Sequence, residues 1–415
     1  MTPPDTARLA YLVPEFPGQT HVFFWREIEA LEAMGVLVDI VSTTPPPPSP
    51  HAWAGAAAAR THYLARPGLG DAVGAVGLLS AALASRRLTA AFRRVGAGSP
   101  AERAKVLLAA AALAARSRRR GWRHVHVHSS GNSARVAMVA AALGDIAYSV
   151  TLHGPLADYG PQQMEKWRHA AFGLVITDRL RTEMAQVLGD DVAAKIRLAP
   201  MGIRLTDTER ADAYAPWDRR GDAVLFSCGR LNPAKGHDTL IRAVSILVDE
   251  GVPVRLAIAG EDEQGGAGYR RHLEGLIDEL GMGEHVRLLG AVGEEVVRDR
   301  LQRAHVFVLA SRGEPLGVAI MEAMGAAVPV VVGDGGGVRE LIAPGTGILT
   351  DATDARAIAA AVGGLLAEPE QARELGERAR ARVRGHFTSE ASARVLIESI
   401  ANANASAEQR RPIGP

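Results

Sequence analysis

The sequence of 415 residues contains a single cysteine, Cys228. One cysteine cannot form a disulfide within the chain or a cysteine-based metal cluster, and this usage favours a reducing compartment. The chain also lacks an excess of either charge, because 47 basic side chains face 46 acidic ones and the formal net charge is +1. A chain with so little net charge has no overall field for nucleic acid, and we expect no nucleic-acid partner.

Long apolar runs are missing as well. No stretch approaches the roughly 18 uninterrupted apolar residues that a membrane-spanning helix needs. Residues 1–16 lack the basic region, the apolar core and the cleavage site of a secretory signal. We therefore expect a cytoplasmic protein.

The sequence does contain short apolar runs that alternate with helical patterns, which is typical of parallel sheets connected through helices. Its length suits two or three domains at roughly 150 residues each. The fold class predicted is therefore α/β, with two doubly wound, Rossmann-like domains. The predicted strands are 7–13, 36–42, 124–128, 147–153, 173–178 and 195–200, followed by 223–229, 254–260, 286–292, 305–311 and 328–334.

A polar segment separates the two halves. Residues 205–220, LTDTERADAYAPWDRR, have no apolar period and contain a proline, which predicts the connection between domains. The predicted boundary lies near residue 210, so that residues 1–210 and 211–385 form the two domains. The polar residues 405–415 are predicted to be a flexible tail.

The loops that follow the second-half strands hold the candidate site, because ligands bind outside the carboxyl ends of parallel strands. In a protein with two such domains, the carboxyl edges of the two sheets can face each other, which predicts a cleft between them. Strand 223–229 leads into a loop with Arg230 and Lys235, ahead of a helix. A guanidinium fork and a compact ammonium group suit a diphosphate. The alternative is a solvated basic turn.

Two glutamates follow the strand at 305–311. Glu314 stands before a Pro-Leu-Gly turn, and Glu322 lies two helical turns later on a segment of small and apolar residues. The backbone amides of Leu316, Gly317 and Val318 open the helix between them and can donate to an anion or a sugar oxygen. We expect all three residues to contact a ligand that carries such a group.

These segments resemble a known family. GRLNPAKGHDTLIRAV, GEPLGVAIMEAMGAAVPVVVGDGGGVRELI and GTGILT are similar to the C-terminal signature of the retaining nucleotide-sugar glycosyltransferases of glycosyltransferase family 4, which have the GT-B fold. The family's E-x7-E motif falls on Glu314 and Glu322. The resemblance implies that Glu314 faces the donor sugar and Glu322 holds the ribose. It also implies that Arg230 and Lys235 bind the pyrophosphate, and that Gly290 borders the base.

The first half resembles exopolysaccharide-type members of the family. FPGQTHVFFWREIEALEAMGVLVDIV (16–41) is similar to their entry segment, which implies that Gly18 and Thr20 face the donor phosphates. His153, in TLHGP, matches a histidine that contacts the donor sugar or its phosphate; the alternative is a structural histidine at a strand end. Residues 386–404 resemble the last helix of the fold, which crosses back to the first domain.

Three more histidines, His124, His126 and His128, share one strand face and have the spacing of zinc ligands. No carboxylate ligand lies beside them, and the resembled family has histidine at this strand, so we expect no metal site. No Asp-x-Asp pair occurs in the sequence. Its absence favours a fold that neutralises diphosphate with side chains and amides, without a metal or another cofactor.

Residues 71–123 are the part of the chain least similar to the family. Arginines interrupt two helical stretches rich in alanine and leucine there, at positions 86, 87, 93, 94, 103, 116, 118, 119, 120 and 123. A basic amphipathic surface can lie against anionic lipid, which would place the protein at the inner face of a membrane. The alternative is a solvent-facing arginine edge on an ordinary helix layer.

The sequence therefore predicts a retaining, metal-independent glycosyltransferase of the hexosyltransferase type. It would move a sugar from a nucleoside-diphosphate donor, UDP or GDP, to a hydroxyl acceptor in surface polysaccharide, glycolipid or natural-product synthesis. The predicted catalytic residues are Glu314, His153, Arg230 and Lys235. The donor would bind to the C-terminal domain. The acceptor, a glycan, a lipid-linked molecule or a small molecule, would bind to the N-terminal domain. The alternatives are a nucleotide-sugar epimerase and a non-catalytic sugar-nucleotide-binding protein.

Overall fold

A computed structural model describes residues 8–409, apart from residues 19, 48, 84 and 263–267. The chain divides into two compact units. The first contains the described residues up to Ser49, Trp53–Pro200 and the described residues from Glu390 onward. The second contains Pro50–Ala52 and Met201–Ser389.

A parallel sheet of seven strands forms the centre of the first unit. Most of its strands are short runs of buried apolar residues, as expected where helices cover both faces of a sheet. The strands are β1 (Arg8–Glu15), β2 (Leu37–Thr44), β3 (Thr61–Tyr63), β4 (His124–His128), β5 (Ala147–Leu152), β6 (Gly173–Val175) and β7 (Ile196–Leu198). Their order is β3-β2-β1-β4-β5-β6-β7. Because the chain moves outward from β1 in both directions, the sheet is doubly wound.

Helices connect these strands. They are α1 (Val22–Ala33), α2 (Ala54–Arg60), α3 (Leu69–Leu83), α4 (Arg86–Val95), α5 (Pro100–Arg120), α6 (Asn132–Leu143), α7 (Gln163–His169), α8 (Asp178–Leu188) and α9 (Asp190–Ala193). The long helix α5 starts with a capping box, in which Ser99 and Glu102 each accept a hydrogen bond from the other's backbone N–H.

The second unit repeats the scheme with six parallel strands. They are β8 (Ala223–Cys228), β9 (Val254–Ala259), β10 (Val286–Gly290), β11 (Val306–Leu309), β12 (Val330–Gly333) and β13 (Ile348–Thr350), in the order β10-β9-β8-β11-β12-β13. The helices are α10 (His237–Asp249), α11 (Tyr269–Glu279), α12 (Glu294–Arg303), α13 (Val318–Gly325), α14 (Val338–Leu341), α15 (Ala355–Ala367) and α16 (Pro369–His386). All the strands end on the same edge of the sheet, which brings their following loops together.

The last helix, α17 (Ser389–Gln409), packs onto the first unit from Glu390 onward. Ala393 and Leu396 join the apolar core that surrounds α1. Ser392 donates a hydrogen bond to the buried carboxylate of Glu27, which also accepts one from the Tyr11 hydroxyl at 2.5 Å. Burial raises the pKa of Glu27, although both hydrogen bonds act in the opposite direction.

The predicted fold class is confirmed, since both units are doubly wound parallel sheets with helices. Each predicted strand overlaps an observed one, but the edge strands β3 and β13 were missed; their three residues are only partly buried and form no long apolar run. The units change at Pro200–Met201, before the predicted boundary at residue 210.

The polar segment at 205–220 therefore belongs to the second unit and is not the connection between domains. Tyr214 is buried in the second core and donates a hydrogen bond to the His305 carbonyl at 2.7 Å. Arg210 donates to the carbonyls of Leu301 and Gln302. These contacts follow no apolar period, which is why the segment resembles a linker in sequence.

The end of the chain also differs from expectation. Helix α17 continues to Gln409, so the first residues of the predicted tail at 405–415 are helical. Residues 410–415 lie outside the described part of the chain.

Two glycines inside helices of the second unit differ in their surroundings. Gly376 of α16 lies against the turn after α13, where an added Cβ atom would meet the Ala327 carbonyl oxygen at 2.0 Å. Gly364 of α15 is exposed, and an added Cβ atom would meet nothing within 4 Å. The close approach of α16 to α13 therefore requires a glycine at 376.

We expect Gly376→Ala to lower the free energy of unfolding by about 1–3 kcal/mol, because the backbone oxygen must be displaced. Gly364→Ala should raise it by up to about 1 kcal/mol, because alanine favours a helix over glycine. Urea unfolding of both variants measures the difference. Equal effects of the two substitutions would contradict the close packing at Gly376.

Candidate functional site

The candidate site of the second unit lies at the carboxyl edge of its sheet. Loops follow β8, β9, β10, β11 and β12 there. The predicted site residues on these loops and on α13 are Arg230, Lys235, Gly290, Glu314, Leu316, Gly317, Val318 and Glu322. Gly18, Thr20 and His153 belong to the first unit.

The centre of this edge is an ion pair between two loops. Lys235 Nζ, after β8, lies 2.5 Å from Glu314 Oε2, after β11. Both side chains are largely shielded from solvent, at 16% and 10% exposed. A shielded pair is screened less by salt than a surface pair, so each charge holds the other in place.

Lys235 is positioned by the backbone around it. The Asn232 side chain accepts a hydrogen bond from the Lys235 backbone N–H at 3.2 Å and caps the short 3-10 turn Pro233–Lys235. Gly236 then takes a left-handed conformation (φ 64°), and an added Cβ atom would lie 1.8 Å from the Ala310 carbonyl oxygen. Only glycine permits this approach, which brings the loop after β8 against the end of β11.

Glu314 is held in a similar way by two glycines that follow β12. Its backbone N–H donates to the Gly335 carbonyl at 3.2 Å, and its carbonyl accepts from the Gly337 N–H at 2.8 Å. An added Cβ atom would lie 2.1 Å from the Arg312 carbonyl oxygen at Gly335 and 2.2 Å from the Glu314 carbonyl oxygen at Gly336. The glycine run thus lets two loops lie in direct backbone contact.

The start of α13 lies beside the ion pair. Gly317 precedes the helix with φ 99°, and an added Cβ atom there would lie 3.2 Å from Glu314 Cγ. Leu316 is fully buried and anchors the turn, while Val318 is half-buried. The first amides of α13 therefore open next to the Glu314 side chain.

Glu322 and Lys235 both act on the Cys228 thiol at the end of β8. Burial raises the pKa of Cys228 to about 12; the negative charge of Glu322 adds to this effect, and Lys235 opposes it. The structure thus brings Lys235, Glu314, Gly317 and Glu322 together. The thiol itself stays protonated and unreactive at neutral pH.

Arg230 and Gly290 lie on the β9 side of the ion pair. Arg230 is exposed directly after β8. Gly290, at φ 77°, accepts a hydrogen bond from the Gly260 N–H at 2.9 Å. Glu261 and Arg270 form an ion pair at 2.9 Å. An added Cβ atom at Gly290 would lie 3.5 Å from the Glu261 carboxylate and 3.6 Å from the Arg270 guanidinium. Gly290 therefore borders a polar surface at this edge.

Arg312 holds the two charged loops together, a role that was not predicted. Its backbone N–H donates to the Ala234 carbonyl at 2.8 Å, and its guanidinium donates to the Pro233 carbonyl at 2.8 Å. The same guanidinium reaches the Asp238 carboxylate at 3.0 Å. Although burial alone would raise the pKa of Asp238, Arg312 holds it below its usual value.

In the first unit, His153 follows β5 and lies against other rings. Its Nε2 is 3.1 Å from His128 Nδ1, and its ring stacks on that of His128. Its Nδ1 is buried and has no hydrogen-bond partner within the described part of the chain. Burial, helped by His21, lowers the pKa of His153 to about 3, so the ring is neutral at neutral pH.

The loop with Gly18 lies close to His153. The Gly18 N–H donates to His21 Nδ1 at 3.1 Å, and an added Cβ atom on Gly18 would meet that nitrogen at 2.5 Å. The Phe24 ring contacts the rings of both His21 and His153. Thr20 is exposed. The structure thus brings Gly18 near His153 and leaves Thr20 on the surface of the loop.

The three histidines of β4 are buried, and two of them, His124 and His126, form hydrogen bonds with neighbouring hydroxyl groups. Ser149 Oγ lies 2.7 Å from both His124 Nε2 and His126 Nδ1, and Thr151 Oγ1 lies 2.9 Å from His126 Nε2. Burial lowers the pKa of each ring. No group of three metal-ligating side chains is found among the described residues.

Comparison with known proteins assigns part of the chain. Residues 216–382 match the family model "Glycosyl transferases group 1". We therefore assign the second domain, with the Lys235–Glu314 pair, to this family. Over 212 residues the chain is 35% identical to the GDP-mannose-dependent alpha-(1-6)-phosphatidylinositol monomannoside mannosyltransferase of Mycolicibacterium smegmatis. The matched segment makes up 47% of this chain and 53% of that protein. The chain thus spans about half the length of the curated relatives it matches.

Solved structures resemble the chain over nearly its whole length. Sucrose-phosphate synthase from Thermosynechococcus elongatus superposes with a TM-score of 0.72 at 22% identity, covering 96% of this chain and 100% of that chain. Anabaena HepE, solved in complex with UDP and glucose, gives a TM-score of 0.72 at 16% identity, covering 95% and 100%. The fold is GT-B.

We expect Arg312→Gln to speed amide hydrogen exchange in the loop after β8, because the substitution removes the guanidinium that donates to the Pro233 carbonyl and to the Asp238 carboxylate. The free energy of unfolding should fall by about 1 kcal/mol, the usual net value of such contacts when they are partly exposed. Arg339→Gln removes a more exposed ion pair with Asp334 and is the matched control. Unchanged exchange in the loop would show that Arg312 does not hold it.

Proposed function

We propose that the protein is a retaining glycosyltransferase that moves a sugar from a nucleoside-diphosphate donor to a hydroxyl group. One observation carries the proposal: Lys235 and Glu314 are in contact at the carboxyl edge of a domain that matches the glycosyl transferases group 1 model. A cation and an anion at a sheet edge suit a ligand with a negative diphosphate on one side and sugar hydroxyls on the other.

The residues of this edge would divide the donor between them. Lys235 and Arg230 would bind the diphosphate, and the first amides of α13 would donate to it as well. Glu314 would accept hydrogen bonds from the sugar, and Glu322 from the ribose. Gly290 would border the base. In the first domain, the neutral ring of His153 and the loop of Gly18 and Thr20 would contact the sugar or its phosphate.

The proposed chemistry depends on charge that develops on the departing diphosphate. Cations already in place stabilise that charge more than they stabilise the bound donor, so they accelerate transfer. We assign no nucleophile. The leaving phosphate would take the proton of the acceptor hydroxyl while the new glycosidic bond forms on the face that the phosphate leaves, which retains the configuration. Side chains and amides would neutralise the diphosphate without a metal.

The proposed reaction defines the acceptor and the pathway only by their chemical class. We propose a hydroxyl acceptor on a glycan, a lipid-linked sugar or a small molecule, in surface polysaccharide, glycolipid or natural-product synthesis. A relative named above is a mannosyltransferase of a phosphatidylinositol glycolipid. The comparisons give no support to an epimerase. The alternative of a non-catalytic binding protein accounts less well for the intact Lys235–Glu314 pair.

We expect Glu314→Gln to reduce sugar transfer by at least about 100-fold, because the amide keeps the size of the side chain and removes its charge at the reacting sugar. Nucleoside diphosphate affinity should not fall, because Lys235 loses its carboxylate partner and remains available to the diphosphate. Product formation and nucleotide titration measure the two effects. Glu279→Gln, on the exposed face of α11, is the control. Parallel losses of transfer and nucleotide affinity would make Glu314 a binding or folding residue only.

We expect UDP or GDP to give the largest thermal shift among UDP, GDP, ADP, CDP and dTDP. A ligand at about 100 times its dissociation constant stabilises the folded state by about 2.7 kcal/mol, which raises the melting temperature by a few degrees. The shift should persist in EDTA and shrink in Glu322→Ala and Arg230→Ala.

The same thermal-shift experiment also tests for the outcomes that would contradict the proposed donor site. A shift that survives both substitutions, or no shift with any nucleotide, would remove this edge as the donor site. A shift that EDTA abolishes and magnesium restores would overturn the metal-independent mechanism.

A further inference from the structure

An exposed apolar surface lies on the helices between β3 and β4. Most of the large apolar side chains that are exposed among the described residues are found there. They are Leu69 (83% exposed), Val73 (63%), Val76 (65%) and Leu83 (73%) on α3, Phe92 (47%) on α4 and Leu108 (58%) on α5. Exposed apolar side chains that cluster on adjacent helices mark an interaction site more often than scattered ones do.

Helix α3 is apolar on both of its sides. Ala75, Leu78 and Ala82 are buried, and α3 packs along α5. The exposed side chains, Leu69, Val73, Val76 and Leu83, recur at the spacing of one helical face and form what we call the α3 face. The single charged residue of α3, Asp71, is buried, so the α3 face contains no charge.

Three arginines of α5 have acidic partners. Arg116 and Arg119 of α5 bind the buried carboxylate of Asp71, and Arg120 binds Asp39. These arginines hold the helix layer together and are not a free basic edge. Four more arginines lie on the neighbouring helix, α4.

Helix α4 carries the basic charge beside the α3 face. It contains four arginines and no acid, and no acidic residue occurs anywhere from 72 to 101. Arg87 pairs with Asp145, while Arg86 and Arg93 are exposed. An uncharged apolar face next to a helix of arginines is the composition of a surface that lies in the boundary layer of an anionic membrane.

The length of α3 also favours a helix that lies on the membrane. In the part of the chain that the structure describes, no single helix has the length and apolar composition to cross a membrane. Leu69–Leu83 and Arg86–Val95 pass that test only as a pair bent by 110°. At 1.5 Å per residue α3 is about 22 Å long, short of the roughly 30 Å hydrocarbon layer.

We propose that the α3 face and the arginines of α4 dock the protein on an anionic lipid surface. The apolar side chains would enter the boundary between headgroups and acyl chains, and Arg86 and Arg93 would bind lipid phosphates. A second copy of the chain is a poorer occupant, because a two-fold contact sets the same patch against itself and places α4 arginines near each other. The docking depends on surface chemistry and holds whether or not the proposed sugar transfer is correct.

Vesicle co-sedimentation of the full chain tests this surface. We expect the protein to bind vesicles of phosphatidylcholine mixed with phosphatidylglycerol, to leave neutral phosphatidylcholine vesicles unbound, and to dissociate in high salt. Arg86→Gln with Arg93→Gln should weaken binding by about fivefold for each arginine, because one basic residue near an anionic surface contributes about that factor. Val73→Ser with Val76→Ser and Leu83→Ser should weaken it at least as much.

Matched substitutions elsewhere on the surface supply the controls. Val187→Ser and Val296→Ser remove exposed apolar side chains of α8 and α12, and Arg356→Gln with Arg384→Gln removes exposed arginines of the second unit. These variants should bind as the unsubstituted protein does. Nucleotide-induced thermal shifts should be the same in every variant, which separates failure of the docking surface from failure of the donor site.

Three results would overturn the proposal. The unsubstituted protein could bind neutral and anionic vesicles equally or bind neither. The α3-face variant could retain full binding after thermal unfolding shows it to be folded; if it does not fold, full binding by the arginine variant overturns the proposal in its place. A dimer in sedimentation velocity that the α3-face substitutions dissociate, without any lipid binding, would assign the face to a second copy of the chain.

Discussion

Two opposite charges, Lys235 and Glu314, lie in contact at the open edge of the second sheet, and the surrounding loops are arranged to keep them there. A shielded charge without its partner would be costly, so each side chain needs the other in the absence of a ligand. The attraction also ties the loop after β8 to the loop after β11. The same pair presents a cation and an anion side by side, and the proposed binding of a sugar diphosphate rests on this arrangement.

Backbone contacts that only glycine allows make this arrangement possible. Gly236 brings the Lys235 turn against the end of β11, and the run that includes Gly335 and Gly336 does the same for the Glu314 loop. Arg312 connects the two loops by donating hydrogen bonds to the carbonyl groups of Pro233 and Ala234 and to the Asp238 carboxylate. The precision of the site thus comes from close backbone packing and one guanidinium, and the sheet supplies the common edge.

The first unit uses polar groups differently. Its buried histidines are neutral, and two of them, His124 and His126, share the Ser149 hydroxyl. Its buried Glu27 is held by Tyr11 and by Ser392 of the last helix. Such groups add stability only while every partner is present, so α17 belongs to the core of this unit despite its distance along the sequence. Arg116 and Arg119 of α5 act likewise on the buried Asp71, so these two arginines belong to the packing of the helix layer.

The periodicity of apolar residues and the turn residues between the apolar runs determined the two parallel sheets. The positions of Lys235 and Glu314 directly after strands determined that the two side chains share an edge of the second sheet. Both depend on local order along the chain and on the direction that parallel strands impose. The tertiary structure decided the contacts of Arg312, the place of Tyr214 in the second core and the division of arginines between buried acids and solvent. Those features depend on partners that are far apart in sequence, and no local pattern records which partner a long side chain will reach.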